Sequence, residues 1–275
     1  MNYRHAYHAG NFADVLKHAA LVAVLLHLRK KETPFAMIDC HGGRGLYDLA
    51  GTEARKTGEA EAGIGRLLQL DSLPAALQPY IDIVRGFAPS LYPGSPLIAA
   101  HLLRRKDRLV VIEKHPDEYA ALSQALRQER RARVIKGDYS DELAKLLPPP
   151  ERRGPILIDP PYETEGEFAN ATHALIAAHR RFTGGIILFW YPAKERPAVE
   201  ASAGEMLNAG IDSLLKIELD VGHTPAKERL SSTGLLVVNP PFGFAAAMTE
   251  AMPFLVRHLA QASGARGSVD ALAER

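Results

Sequence analysis

Five short apolar segments, Phe35–Asp39, Leu109–Glu113, Arg133–Lys136, Ile156–Asp159 and Gly185–Tyr191, are followed by stretches with helical patterning that include 116–129, 165–181 and 195–209. This alternation constrains the fold more than any other feature, because strands joined by helices pair in parallel and take helices on the faces of one sheet. Two further segments, Leu214–Asp220 and Leu235–Asn239, follow one another without a helix, across a polar loop from Val221 to Thr233 that carries Lys227 and Arg229. They predict a terminal antiparallel pair. Ahead of the first strand, residues 12–31 read as an amphipathic helix with Asn11 as N-cap, Asp14 in the first turn and Lys30-Lys31 near the end.

In an open α/β sheet, ligands sit beyond the carboxyl ends of the parallel strands. Asp39, Glu113, Asp138 and Asp159 all fall at or just beyond such ends. One interval is abnormal: about 20 residues separate the first glycine turn from the next acidic strand end in a minimal fold, whereas Glu113 follows Asp39 by 74 residues. A small helical subdomain over 51–92 is expected to account for it. The core then comprises 1–50, with an N-terminal flap, a helix and the first strand, and 93–261. The segment 262–275 is small and polar enough to predict a loosely ordered tail.

The single cysteine, Cys40, excludes a disulfide framework or a cysteine-ligated cluster, removes the thiol nucleophile that carbon-directed pyrimidine methylation needs, and at a buried strand end predicts a packing role. No run of 18 or more apolar residues and no leader layout is evident, so a cytoplasmic protein without membrane attachment, monomeric, is expected. Net charge is only +1, yet the bases are bunched at Arg29-Lys30-Lys31, Arg104-Arg105-Lys106, Arg127 to Arg133 and His179-Arg180-Arg181. Such runs are solvated faces in most proteins, although bunching is also what a phosphate backbone needs.

The fourth strand delivers Asp159-Pro160-Pro161-Tyr162 to its exposed end. An aromatic amine has its lone pair delocalised into the ring, so an acceptor site must hold the N–H groups and let the nitrogen pyramidalise. A carboxylate and a proline carbonyl do that, the two prolines stiffen the turn, and Tyr162 offers a stacking face. The tetrapeptide alone is also compatible with an ordinary turn after a buried strand. The turn Asp39-Cys40-His41-Gly42-Gly43-Arg44-Gly45 permits close backbone approach but lacks the P-loop and full dinucleotide patterns. Glu113 is placed to accept two ribose hydroxyls and Asp138 an adenine amine, while each of these carboxylates could singly be a helix cap. The pattern therefore predicts an α/β, class I (Rossmann-like) S-adenosyl-L-methionine-dependent methyltransferase, with a seven-stranded, mostly parallel sheet and a helical insertion after the first strand. A second turn, Asn239-Pro240-Pro241-Phe242, follows an antiparallel strand and so points away from the crevice.

The segment from Tyr3 to His18 is dense in polar aromatic side chains. His5 and His8 lack a nearby cysteine or His-Glu motif to complete a metal site, so no metal is expected. Together with Asp39–Gly45, Pro93-Gly94-Ser95-Pro96, Glu113-Lys114-His115-Pro116 and Asp159–Tyr162, this segment closely resembles the RlmJ family of bacterial 23S ribosomal RNA adenine-N6 methyltransferases, from Tyr3 to about Phe242. The resemblance implies that His18, His41, Ser95, Glu113, Asp138, Tyr139 and Asp159 contact S-adenosyl-L-methionine, with Asp159 also the proton acceptor. It further implies that Tyr3 meets the target ribosomal RNA, with His5 and Lys17 contributing beside it, while the chemistry of the turn itself gives Pro160 and Tyr162 the holding of the base. Cys40-His41-Gly42 and Phe12 are departures that bear on cofactor fit. DNA adenine, a protein glutamine amide, and a silent RNA-binding or cofactor-sensing module remain alternative readings.

Overall fold

The computed structural model describes residues 5–87, 89–163, 166–193, 196–222 and 230–274. A 3-10 turn, His5–Tyr7, leads into helix α1, Phe12–Arg29, where Asn11 accepts hydrogen bonds from the Ala13 and Asp14 amides as N-cap. Strand β1, Ala36–Asp39, follows, then a short pair made of β2, Leu46–Asp48, and β3, Leu91–Pro93. Between these lie four short helices, α2 (Thr52–Thr57), α3 (Glu59–Ala62), α4 (Ile64–Leu68) and α5 (Gln78–Phe87). The chain then runs through α6 (Ser95–Leu102), β4 (Arg108–Glu113), α7 (Pro116–Ala125), β5 (Ala132–Lys136), α8 (Tyr139–Glu142), β6 (Pro155–Ile158), α9 (Glu167–Arg181) and β7 (Ile186–Pro192). It closes with α10 (Arg196–Asn208), β8 (Leu214–Asp220), β9 (Ser232–Val238), α11 (Phe244–Leu259) and β10 (Arg266–Ala273).

The main sheet has the order β10-β8-β9-β7-β6-β1-β4-β5, in which β5, β4, β1, β6 and β7 are parallel and β9 runs against both β7 and β8. The chain lays β4 and β5 on one side of β1 and then returns to lay β6 on the other. That switch opens a crevice beyond the tips of β1 and β6. Continuous apolar runs suit these strands because both faces are covered: Met37 and Leu157 enter the core beneath α1, while Ile38, Ile156 and Ile158 enter the core beneath α9.

The insertion leaves and rejoins the core at one place, since β2 and β3 pair antiparallel with Leu46 opposite Pro93. It has no separate core: Ile64, Leu67, Leu77, Tyr80 and Ile81 join the same buried cluster as α1. The Ile64 amide donates to the Gly10 carbonyl at 2.8 Å, and a Cβ on Gly63 would lie 2.2 Å from that oxygen, so only glycine permits this approach.

Eight strands form the sheet rather than the expected seven. The segment expected to be a loose tail supplies β10, antiparallel to β8 from Arg266 opposite Asp220 onward, with those two side chains paired at 3.0 Å. Its Gly-Ser-Val-Asp-Ala sequence carries little strand propensity. Backbone pairing with β8 and packing against α11 supply what local preference does not: a Cβ on Gly267 would strike the Met252 side chain at 2.3 Å, and Val269 packs against the core.

Candidate functional site

The crevice has a volume of about 1450 Å³, above the range of about 300–1000 Å³ usual for one small ligand, and so has room for two occupants. His18 and Lys17 reach it from α1, His41 from the turn after β1, Ser95 from the start of α6 and Glu113 from the tip of β4. Asp138 and Tyr139 enter from beyond β5, Asp159, Pro160 and Tyr162 from beyond β6, and His5 from the N-terminal turn. Tyr3 lies outside the described residues, as do Lys227 and Arg229 of the polar loop.

Asp159 is held by the helix that precedes the sheet. Lys17 Nζ lies 2.5 Å from Asp159 Oδ2 and 2.8 Å from Asp14 Oδ1. Asp14 is fully buried; its other oxygen accepts from the Gly10 amide at 2.9 Å and lies 3.0 Å from His5 Nε2. Burial disfavours the Lys17 ammonium, but the two carboxylates outweigh it and raise its pKa well above the usual lysine range. Burial likewise works against charge on Asp14, and His5 and Lys17 hold its carboxyl well below the usual range. Each buried charge therefore has a partner, as burial requires.

The opposite wall is built around the glycine turn. Gly43 has φ +57°, and a Cβ there would meet the Tyr47 hydroxyl at 2.2 Å, so the turn can pass close under the crevice only as glycine. Its amide donates to Glu113 Oε2 at 2.8 Å, and the His115 amide donates to Oε1 at 2.7 Å. Burial raises the Glu113 pKa, and those two amides oppose the rise. A carboxylate has about four acceptor sites, so two remain for hydroxyls in the crevice. His41 Nδ1 accepts from the Asp159 amide at 3.1 Å, and burial pushes its pKa down to about 4. A neutral ring that accepts through Nδ1 carries its proton on Nε2. Behind the turn, burial raises Asp39 to about 7, with hydrogen bonds from Ser95 and the His41 amide opposing, and its Oδ2 has no hydrogen-bond partner among the described residues.

Asp138 is both cap and crevice wall. It accepts from the Ser140 amide at 3.0 Å as N-cap of α8 and pairs with Lys114 at 2.8 Å. Burial raises its pKa, and the Lys114 and Ser140 contacts more than reverse this, leaving it below the usual value. The cap reading and the ligand reading of this residue are thus compatible.

Tyr162, at φ +50°, turns back so that its hydroxyl donates to the Trp190 carbonyl at 2.7 Å, with its ring 5.3 Å from Phe168 and 5.8 Å from Trp190. This anchors an aromatic wall of mutually tilted rings next to Asp159. Asn239 also has positive φ, but its amide donates to the Thr183 and Gly185 carbonyls, at the start of β7 and the far end of the sheet. Phe242, beyond it, is 94% exposed. The second Pro-Pro turn is therefore remote from the crevice, as the antiparallel direction of β9 requires.

Several lining groups have no obvious mark in the sequence. Asp14 was legible as a first-turn acid, and its i,i+3 spacing to Lys17 is the only local sign of their pairing. Phe168, Trp190 and Glu167 line the crevice without any motif. Two of the basic clusters serve the structure instead: Arg104 holds Asp107 and the Lys31 and Thr33 carbonyls, and Arg131 holds Glu129 and the Leu103 carbonyl. Both stand at the end of the sheet opposite the crevice. Among the described residues, no group of three or more His, Cys, Asp or Glu side chains could hold a metal ion, and no helix is long and apolar enough to cross a membrane.

Residues 32–270 match the model of a family described as ribosomal RNA large subunit methyltransferase D, RlmJ. The chain is 39% identical over 273 residues to ribosomal RNA large subunit methyltransferase J of Escherichia coli, covering 98% of each. It is 37% identical over 264 residues to the protein of the same name in Haemophilus influenzae, covering 94% of each. Among solved structures, a Legionella pneumophila protein at 32% identity superimposes with a TM-score of 0.88 over 96% of this chain and 98% of its own.

Proposed function

The chain belongs to the RlmJ family of ribosomal RNA large subunit methyltransferases, and from that premise we propose that it methylates the exocyclic N6 of an adenine in 23S ribosomal RNA with S-adenosyl-L-methionine as donor. The observation that carries this reading is that Asp159, Pro160 and Tyr162 share one crevice with Glu113, Asp138 and the glycine turn. Amine-holding groups and nucleoside-holding groups thus face a common space.

The residues fit the cofactor. Gly43 keeps the floor free of side chain, Glu113 retains acceptor capacity for a ribose, and Asp138 stands where an adenine amine would be received. His18, His41, Ser95 and Tyr139 complete that half of the wall. When bound, S-adenosylmethionine supplies a methyl group already activated on a positively charged sulfur. The chain therefore needs to position the acceptor rather than activate the donor, and positioning alone can lower a barrier by about 7–11 kcal/mol.

Tyr162 offers its ring to the target base, and the Pro160 carbonyl and Asp159 hold the two N6 hydrogens. Transfer would break the carbon–sulfur bond, leaving a neutral thioether and moving the positive charge to the nitrogen, and Asp159 would take the proton that the nitrogen sheds. Lys17 fixes the direction of that carboxylate. Extruding a base costs least where it is unpaired, so a loop or bulge of the RNA is the expected target. Tyr3, His5 and Lys17 form the RNA-facing side of the site in this reading.

The test is tritium transfer from labelled cofactor to ribosomal RNA, DNA and protein fractions, with Asp159→Ala alongside the wild type. RNA alone should be labelled, at N6 of adenine. Asp159→Ala should lose about 100-fold or more in turnover while still binding cofactor by calorimetry. Near-normal turnover in that variant, or label only in DNA or protein, would overturn the proposal.

A further inference from the structure

Two tyrosines supplied by the insertion and its closing strand, Tyr80 in α5 and Tyr92 in β3, are fully buried and form a hydrogen-bond chain that ends on His18. The Tyr80 and Tyr92 hydroxyl oxygens are 2.9 Å apart, and the Tyr92 oxygen is 2.7 Å from His18 Nδ1. Neither hydroxyl has another partner among the described residues. His18 Nε2 has none either, and its ring lines the crevice.

Three groups joined by two bonds allow few proton arrangements. If His18 carried its proton on Nδ1, that N–H would donate to Tyr92, and one of the two hydroxyl protons would be left buried without an acceptor. If instead Tyr80 donates to Tyr92 and Tyr92 donates to Nδ1, every hydroxyl proton is used. An unpaired donor costs most where nothing can reach it: the tyrosine hydroxyls are sealed in the core, whereas an Nε2–H faces the crevice, so the second arrangement prevails. His18 then carries its proton on Nε2. Burial, with Lys17 and His5 nearby and despite Asp14, pushes the imidazole down to about 3, so the ring is neutral.

We infer that Tyr92 and Tyr80 act through His18 as positioning residues, fixing it as the Nε2–H tautomer so that it presents a hydrogen-bond donor to the carboxylate of the cofactor's amino-acid moiety. The inference rests on S-adenosylmethionine as the ligand, and it gives the insertion a second task besides walling the crevice. A donor-only nitrogen suits an anionic oxygen and would oppose an ammonium or an amide N–H in the same place. The tautomer is thereby a selectivity device set by a tyrosine 74 positions away in sequence and a second one behind it, neither of which lines the crevice.

The test uses the full chain with 15N-labelled histidine, and long-range proton–nitrogen correlations at neutral pH, without ligand and with S-adenosylhomocysteine, which carries the same carboxylate. His18 is identified by its absence from the His18→Asn spectrum. The expected result is a neutral Nε2–H ring in both states; a ring protonated on Nδ1, or an imidazolium, would overturn the inference. This reading needs no methyl transfer. In Tyr92→Phe the tautomer preference should be lost and the dissociation constant for S-adenosylhomocysteine should rise about tenfold, with the KM for RNA unmoved. A folded Tyr92→Phe chain with wild-type affinity would sink the positioning role. A chain that binds S-adenosylhomocysteine yet methylates no RNA would instead overturn the proposed function and leave the tautomer result standing.

Discussion

Lys17 Nζ lies 2.5 Å from Asp159 Oδ2, so a helix that precedes the sheet grips the carboxylate that follows its fourth parallel strand, 142 residues later. Lys17 is also paired with fully buried Asp14, and the three charges stand or fall together.

Replacing Lys17 by Met should strip Asp159 of this cationic partner and leave Asp14 with His5 in place of two partners. Removing one partner of a buried pair costs about 3–5 kcal/mol, and loss of Asp159 orientation should lower turnover by about 100-fold. Urea unfolding and tritium transfer measure the two effects. The double variant Asp14→Asn with Lys17→Met should be more stable than Lys17→Met alone, because the orphaned buried charge is gone.

His18 and His41, pushed down to about 3 and about 4 by burial, should make the protein acid-sensitive. The unfolded rings titrate near 6.5, at about the ordinary histidine value. Between that pH and the folded values the unfolded chain binds more protons, so their contribution is complete above 6.5 and is lost as pH falls toward 4 and then 3. Thermal melts from pH 7 down to about 4.5 should show a falling midpoint, less steep in His41→Gln.

Asp39 acts in the opposite sense. Its carboxyl is raised to about 7 from an unfolded value of 3.8, so the folded chain holds a proton that the unfolded chain releases. That contribution is complete below 3.8 and is lost as pH rises to about 7. Asp39→Asn should therefore gain on the wild type as pH climbs through this window and keep a constant margin above it, measured as the difference in unfolding free energy at acidic and alkaline pH.

Gly154 has φ +145°, and a Cβ there would lie 1.7 Å from the Ala36 carbonyl oxygen. Gly154→Ala should destabilise by about 3 kcal/mol or more. Gly184→Ala, at a position with nothing within 4 Å of the added carbon, is the matched control and should change little.

Deleting residues 263–275 removes β10 and leaves β8 as an unpaired edge. The truncated chain should melt several degrees lower and scatter light at concentrations where the full chain does not, since the sheet edge passes from the exposed, polar β10 to the more apolar β8, a better template for pairing with other copies. Unchanged melting would mean that β10 contributes no stability.

Much of this architecture was legible residue by residue. Asn11 is a cap because its short side chain reaches back to its own helix. The fully apolar run Ile156–Ile158 reads as a strand covered on both faces, and Asp159 to Tyr162 reads as a rigid turn at its tip. What escaped is pairing across distance. Nothing local in Arg266–Ala273 says strand, because β8 and Met252 stabilise it; nothing near Tyr80 or Tyr92 announces that both end on His18.

Periodicity and turn chemistry are properties of neighbouring residues, so the alternation of strands and helices up to β7, the acidic strand ends and the rigid turn Asp159–Tyr162 belong to the sequence itself. The meeting of Lys17 with Asp159, the double duty of Asp138 and the tyrosine chain behind His18 were decided only when the sheet closed and brought distant side chains into one buried space. There, a charge or a donor proton without a partner is too costly to leave.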